Sequence, residues 1–309
     1  MAQRFPAPER ASASAGQSGG AGGDVRADRI TSRDNKWLKM FRAALRGTGP
    51  KLGEALGVEG PKLVEEGIRS GLETEALLVS DEGEAELAKI LGAASESDAG
   101  IPRARILRTT DKLFTGVAGT EAPQGVAALF RTREWAFDDL LRGRAARDGA
   151  FRGDAALVVV MAGVQDPGNV GTIVRSAEAF GATGVVATRG TADPWSPKAL
   201  RASAGSTLRL PVARGISLSI LLAQLRVAGI QVIAATSKPR SELKPEPPDL
   251  REKLALFIGN EGAGLPDEVL HAADATLAIP MSAEVESLNA GVAASLLLYE
   301  IANHRIRRD

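Results

Sequence analysis

Apolar positions are distributed differently along the two halves of the chain. In the C-terminal half, residues 157–161, 184–188, 231–235, 254–258 and 276–279 are apolar almost without interruption and alternate with stretches of helical period. Strands apolar on both faces fit a parallel sheet covered by helices on either side. The last helical stretch, 288–305, places Leu288, Val292, Leu296, Tyr299 and Asn303 on one face, with Leu297, Leu298 and Ile301 beside it. It is apolar almost all round its middle, so it is expected to be buried or to form an interface. In the N-terminal half, shorter β-like runs at 54–58, 76–80, 105–107 and 125–130 alternate with helical stretches near 62–70 and 84–91, which predicts a small α/β unit.

The remaining segments set the boundaries. Residues 1–28 are mostly Ala, Gly and Ser, too poor in apolar surface to offset chain entropy, and are read as a disordered tail. Glu9, Asp24 and Asp28 argue against a transit peptide there. From 29 to 51, Trp37, Leu38, Phe41 and Leu45 recur at helical spacing beside Arg29, Arg33, Lys36, Lys39, Arg42, Arg46 and Lys51, opposed only by Asp34. Such a face suits phosphates, and equally a plain solvated surface. Residues 131–153, with Arg142, Arg144 and Arg147, are charged and strand-free and are read as a helical linker. The expected organisation is thus a tail (1–28), a small α/β domain (29–130), a linker (131–153) and a larger α/β domain (154–309).

Composition removes whole classes of chemistry. With no cysteine among 309 residues, disulfides, zinc–thiolate sites, iron–sulfur clusters and cysteine nucleophiles are excluded. His271 and His304 both fall on predicted helices, so a histidine triad or a multi-histidine metal site has little to work with, and no metal is expected. There is neither a membrane-spanning apolar run nor a signal-peptide core, and a cytoplasmic location follows as an expectation. Basic and acidic residues balance at 38 each, so any nucleic-acid surface must be a local patch.

Three glycine-rich corners follow predicted strands, where open α/β sheets bind ligands. In AGVQDPGNVGTIVR (162–175) the glycines fall at 163, 168 and 171, which is neither the dinucleotide-binding spacing nor a phosphate-binding P-loop. Asp166-Pro167-Gly168 makes a turn, Asn169 is available to cap the next helix, and Arg175 stands three residues before Glu178 as a possible pair. In FIGNEGAGLP (257–266) three glycines surround Glu261, which allows close backbone approach to a ligand. In IPMSAEVESLN (279–289) Ser287 or Asn289 can cap the final helix or contact a ligand. Backbone groups at three such corners suit a flat, polar small molecule.

The segments DPGNVGTIVRSAEAFG, FIGNEGAGLP and IPMSAEVESLNAGVAASLLLYE resemble, in order and spacing, the three motifs of the SpoU (TrmH-type) branch of the SPOUT RNA methyltransferases, over roughly 155–306. LGVEGPKLVEEGIRSG (56–71) and Pro123-Gln124-Gly125-Val126 are similar to the ribosomal-protein-like substrate-binding domain that often precedes the catalytic one. The resemblance implies a C-terminal domain threaded into a trefoil knot, an exception to the rarity of true knots. It also implies a homodimer that transfers a methyl group from S-adenosylmethionine to a ribose 2′-hydroxyl of RNA, with 23S rRNA favoured over tRNA. A non-catalytic RNA-binding or ribosome-assembly factor of the same fold is the rival from another class. By resemblance, Gly259, Ile279 and Leu288 hold the cofactor, with Thr236 and Met281 close by. Arg175 is the proposed base, Asn169 shapes its site, and Glu261, Ser287 and Asn289 are the other polar motif groups. An arginine base is chemically awkward, because a guanidinium stays charged and offers no acceptor. A role for Arg175 on the adjacent phosphate or the developing alkoxide is preferred. Trp37 or Phe41 stacking on unpaired bases is a further expectation.

Overall fold

The computed structural model describes residues 28–47, 54–95, 104–142, 155–237, 249–282 and 284–306. The expected tail up to residue 27, together with Lys51, Arg144 and Arg147, lies outside the described residues.

The first unit contains β1 (Asp28–Ile30), α1 (Lys36–Arg46), β2 (Leu56–Glu59), α2 (Pro61–Arg69), β3 (Thr74–Ser80), α3 (Glu84–Ser95), β4 (Arg105–Thr109), α4 (Asp111–Thr115) and β5 (Val126–Phe130). Its sheet runs β1-β4-β3-β5-β2, with β5 antiparallel to both neighbours and the other pairs parallel. Asn35 caps α1 by accepting from the Trp37 N–H at 2.8 Å, and the helix buries Leu38, Phe41 and Leu45 against the sheet. Phe41 is fully enclosed, so it cannot stack on a base, and half-buried Trp37 is the aromatic that remains of the expected pair. Two of the basic side chains on α1 are structural: Arg42 donates to the Gly116 carbonyl and Arg46 to that of Ala118. Asp28 opens a strand, so the expected tail boundary falls one residue too late.

The second unit comprises α5 (Phe137–Arg142), β6 (Leu157–Ala162), α6 (Pro167–Ala179), β7 (Gly184–Thr188), α7 (Pro197–Ala202), α8 (Ser206–Arg209), β8 (Val212–Ile216), α9 (Leu218–Val227), β9 (Gln231–Thr236), β10 (Leu254–Gly259), α10 (Asp267–Ala272), β11 (Ala275–Ala278) and α11 (Ala290–Ile306). Its six strands are all parallel, in the order β11-β9-β10-β6-β7-β8. β6 shows why the run is unbroken: Leu157, Val159 and Met161 enter one core, Val158, Val160 and Ala162 the other. The chain steps outward through β7 and β8, then returns to place β10 beside β6. The strand order therefore reverses between β6 and β10, which opens a crevice at their C-terminal ends.

Two expectations are revised. Of the expected linker, Phe137–Arg142 is helical, and its Leu140 is fully buried among β6 and β7 side chains, so α5 is built into the larger core. α11 is buried on one side through Ala294, Leu297, Leu298 and Ile301, while Val292, Leu296 and Tyr299 are 48%, 45% and 50% exposed.

One guanidinium joins the two units. Arg209 donates through Nε and Nη2 to both oxygens of Glu178 at 2.7 Å, and through Nη1 to Glu66 of α2 at 2.6 Å. Glu178 is therefore the partner of Arg209, not of Arg175. Hydrogen bonds to charged groups contribute about 1.5–3 kcal/mol each, but these side chains are about a third exposed and water screens them. Arg209→Ala is expected to lower stability by about 1–2 kcal/mol in urea unfolding, because two carboxylates lose their common cation.

Candidate active site

The crevice between β6 and β10 collects all three glycine-rich corners. After β6 the chain turns at Asp166, which caps α6 by accepting from the Gly168 N–H at 2.7 Å, with Pro167 in the first turn. Asp166, rather than Asn169, is thus the cap. Lys198 Nζ reaches the same carboxylate at 2.9 Å, and this bond, with that from Gly168, holds the Asp166 carboxyl below its ordinary range.

Asn169 is left free for another purpose. Its Nδ2 donates to Glu261 Oε1 at 2.9 Å, and its Oδ1 accepts from Asn289 Nδ2 at 2.9 Å. Asn289 in turn caps α11, its Oδ1 accepting from the N–H groups of Gly291 at 2.9 Å and Val292 at 3.2 Å. One ladder, Asn289–Asn169–Glu261, therefore ties the three corners together. Glu261 also accepts from the backbone N–H groups of Gln165 at 3.2 Å and Asp166 at 3.4 Å. Partial burial pushes its carboxyl up, but the Asn169 bond and the backbone donors outweigh this and hold it below the usual carboxylate range.

Arg175 does not join this ladder. It is exposed on α6, with no hydrogen bond or ion pair among the described residues. Its guanidinium is therefore available to an incoming anion. Ser287 is likewise exposed and outside the ladder, at the rim of the adjoining cavity.

That cavity, of about 550 Å³, lies at the C-terminal ends of β9 and β10 under the segment leading into α11. Thr236, Gly259, Ile279, Met281 and Leu288 all line it, together with Glu261 and Ser287. Its volume lies within the roughly 300–1,000 Å³ of small-molecule sites. Apolar Ile279, Leu288 and Leu270 against the polar turn 260–264 suit a ligand with a flat base and a charged tail. Asn260 was not singled out in the sequence. Its Nδ2 donates to the Gly163 carbonyl at 2.9 Å while its Oδ1 accepts from Gly262 and Ala263 at 2.9 and 2.8 Å. An Asn opening a Gly-flanked turn was the available signal. Among the described residues no group of three or more His, Cys, Asp or Glu could hold a metal ion, and no helix is long and apolar enough to cross a membrane.

Comparison with known proteins matches residues 156–299 to the SpoU rRNA Methylase family and residues 53–128 to the MRM3-like substrate binding domain. A relative in Bacillus subtilis, the 23S rRNA (guanosine(2553)-2′-O)-methyltransferase RlmP, is 32% identical over 79% of this chain and 87% of its own length. The chain belongs to the SpoU rRNA methylase family. Among solved structures, the SpoU methyltransferase AviRb from Streptomyces viridochromogenes, in complex with its cofactor AdoMet, superposes with a TM-score of 0.71. It is 27% identical and covers 89% of this chain and 100% of its own. An AdoMet-bound rRNA methyltransferase from Sinorhizobium meliloti gives 0.69 at 26% identity, covering 90% and 98%. The SpoU match takes in the ladder and the cavity, and the substrate-binding match falls on the β1-to-β5 unit.

Proposed function

We propose that this SpoU protein methylates a ribose 2′-hydroxyl of RNA, with 23S rRNA as the substrate ahead of tRNA and S-adenosylmethionine as the donor. The observation that carries the reading is the Asn289–Asn169–Glu261 ladder, which fixes the cavity wall to the helix presenting Arg175, unpaired among the described residues. S-adenosylmethionine, when bound, supplies an electrophilic sulfonium methyl group. Gly259, Ile279, Leu288, Met281 and Thr236 would hold it, and Ser287 stands at the rim for a polar contact. Arg175 engages the phosphate beside the target ribose and stabilises charge developing on its 2′-oxygen. A guanidinium is a donor only, so the hydroxyl proton leaves to water rather than to Arg175. Asn169, Glu261 and Asn289 act by positioning, and holding reactants in line is worth on the order of 7 to 11 kcal/mol in favourable cases.

The architecture is read in the same way. The unit from β1 to β5 is the RNA-binding domain, and α5 together with β6 to α11 is the methyltransferase domain, in a cytoplasmic protein. The placement of β10 between β9 and β6 supports threading of the C-terminal segment into a trefoil knot. The open stripe Val292, Leu296 and Tyr299, with Tyr299 edge-on to Phe180 at 5.8 Å, supports a homodimer built on α11. Light scattering at micromolar protein is expected to give twice the 32.2 kDa chain mass, and a monomer mass would overturn the dimer.

The test of function is transfer of labelled methyl from S-adenosylmethionine to unmodified rRNA and tRNA, followed by alkaline hydrolysis. A methylated 2′-hydroxyl cannot attack its neighbouring phosphate, so label is expected in alkali-resistant dinucleotides from rRNA. Label in mononucleotides would mean base methylation and sink the proposal, while label confined to tRNA would move the substrate.

A further inference from the structure

A second cleft, of about 1230 Å³, opens along the same C-terminal edge of the large sheet, beyond β7 and β8. One wall is the irregular stretch 132–136 between the two units, and the other is the loops that follow β7 and β8. None of the residues of the ladder or of the cofactor cavity lines it.

Its lining has the chemistry of an RNA subsite. Arg133 lies over the Trp135 ring with its guanidinium carbon 5.0 Å from the centroid. Indole faces and guanidinium planes are the surfaces on which unpaired bases stack. The Trp135 Nε1 is buried and has no acceptor among the described residues, so the ring is held with its polar edge inward. Of the cations in the cleft, Arg214 is paired with Asp193, while Arg133 and Arg189 are exposed and donate only to backbone carbonyls, of Gly71 and Gly215, each at 3.4 Å, with no carboxylate paired to either among the described residues. Gly190 and Gly215 on the rim adopt φ of +86° and +71°, and a Cβ on either would meet nothing within 4 Å. A sugar–phosphate backbone can therefore approach closely.

Position adds to chemistry. The loop after β7 forms the floor of this cleft and also braces the first corner of the active site. Thr191 Oγ1 donates to the Met161 carbonyl at 2.8 Å and accepts from the Gly163 N–H at 2.9 Å, and the Ala192 N–H donates to the Val164 carbonyl at 2.8 Å. From β6 to β8 is two inter-strand steps, about 10 Å at roughly 4.8 Å each. That is the length of about three stacked nucleotides at 3.4 Å. An RNA strand with its target ribose at the β6–β10 crevice thus carries a near neighbour across this cleft.

We infer that this cleft binds an unpaired nucleobase of the substrate RNA a few nucleotides from the methylated ribose, stacked on Trp135, with its phosphates on Arg133 and Arg189. The inference rests on the proposed RNA methyltransferase activity. The test uses the full chain and in-vitro-transcribed, unmodified 23S rRNA, with RNA binding, methyl transfer and S-adenosylmethionine binding measured separately. Trp135→Ala is expected to weaken RNA binding about tenfold, equivalent to about 1.4 kcal/mol, with S-adenosylmethionine affinity unchanged. The loss is expected in KM for RNA rather than in kcat, and Trp135→Phe is expected to restore most of it. Arg133→Ala and Arg189→Ala alter exposed side chains, and each is expected to flatten the salt dependence of log Kd by about 0.7. Transcripts carrying 4-thiouridine are expected to photo-crosslink to the tryptic peptide 134–142. If the wild type methylates rRNA but all these variants bind it normally and the crosslink falls elsewhere, the cleft assignment fails alone. If the wild type neither binds nor methylates RNA, the underlying reading fails and takes the cleft assignment with it.

Discussion

Arg175→Ala is expected to lower methyl transfer about 10²–10³-fold, the usual cost of deleting one preorganised donor to a developing oxyanion, while S-adenosylmethionine affinity stays at the wild-type value. The split follows from location. Arg175 has no partner among the described residues and does not line the cofactor cavity, so its deletion disturbs neither the ladder nor the pocket. Arg175→Lys keeps the charge but loses the planar fork, and partial activity is expected. Full activity in the lysine variant, with a pH profile tracking an amine, would show that the residue removes the proton and would overturn the electrostatic role. The acid side of the wild-type profile belongs to Glu261. Its folded carboxyl titrates below its unfolded value, so the ladder is at full strength above the unfolded pKa and is lost as pH falls through the lowered folded one. Activity is therefore expected to persist through mild acid and to decline only below about pH 4.3, the ordinary glutamate value.

The sheet of the larger unit was legible because burial on both faces leaves a direct trace in the residues, as in β6. β8 left none: it is an edge strand in which only Val212 is buried, and Arg214 and Gly215 break any apolar run. α5 was hidden for the opposite reason, since the charges around Leu140 mask the one side chain that anchors it. At the site, the same contrast separates backbone from side chains. The glycine-rich corners were locatable because turns and strand ends are local, whereas Gly259, Ile279 and Leu288 entered only through resemblance to the SpoU motifs. The bonds among the corners are not. Asn169 reads as a helix cap until Asn289, 120 residues away, and Glu261, 92 away, are brought against it. Glu178 reads as a partner for Arg175 until Arg209 arrives from 31 residues on, with Glu66 from 143 away. Short spacing within one helix makes a pair available, and only topology decides whether a better partner is present.

Gly259→Ala is expected to weaken S-adenosylmethionine binding at least 100-fold, or about 2.7 kcal/mol, although the substitution adds only one methyl group. A Cβ at 259 would stand 2.4 Å from the Gly264 carbonyl carbon and 2.6 Å from both its oxygen and the Leu265 nitrogen. These are backbone atoms, so no side chain can swing aside. Nor can the turn retreat easily. Asn260 and Gly264 exchange backbone hydrogen bonds of 2.9 and 3.0 Å, and the Asn260 side chain is anchored on the Gly163 carbonyl. The strain must move the 259–265 backbone, which is itself a wall of the cavity, and overpacking of this kind costs about 1–3 kcal/mol of stability besides. Gly262→Ala is the control within the same turn. Its Cβ meets only Asn260 Oδ1, at 3.7 Å, an ordinary contact, so near-wild-type affinity is expected. Calorimetric titration with S-adenosylmethionine, alongside thermal unfolding to confirm that both variants are folded, separates the cases. Wild-type affinity in a folded Gly259→Ala protein would mean that the cofactor does not lie against this turn, and the cavity assignment would have to be abandoned.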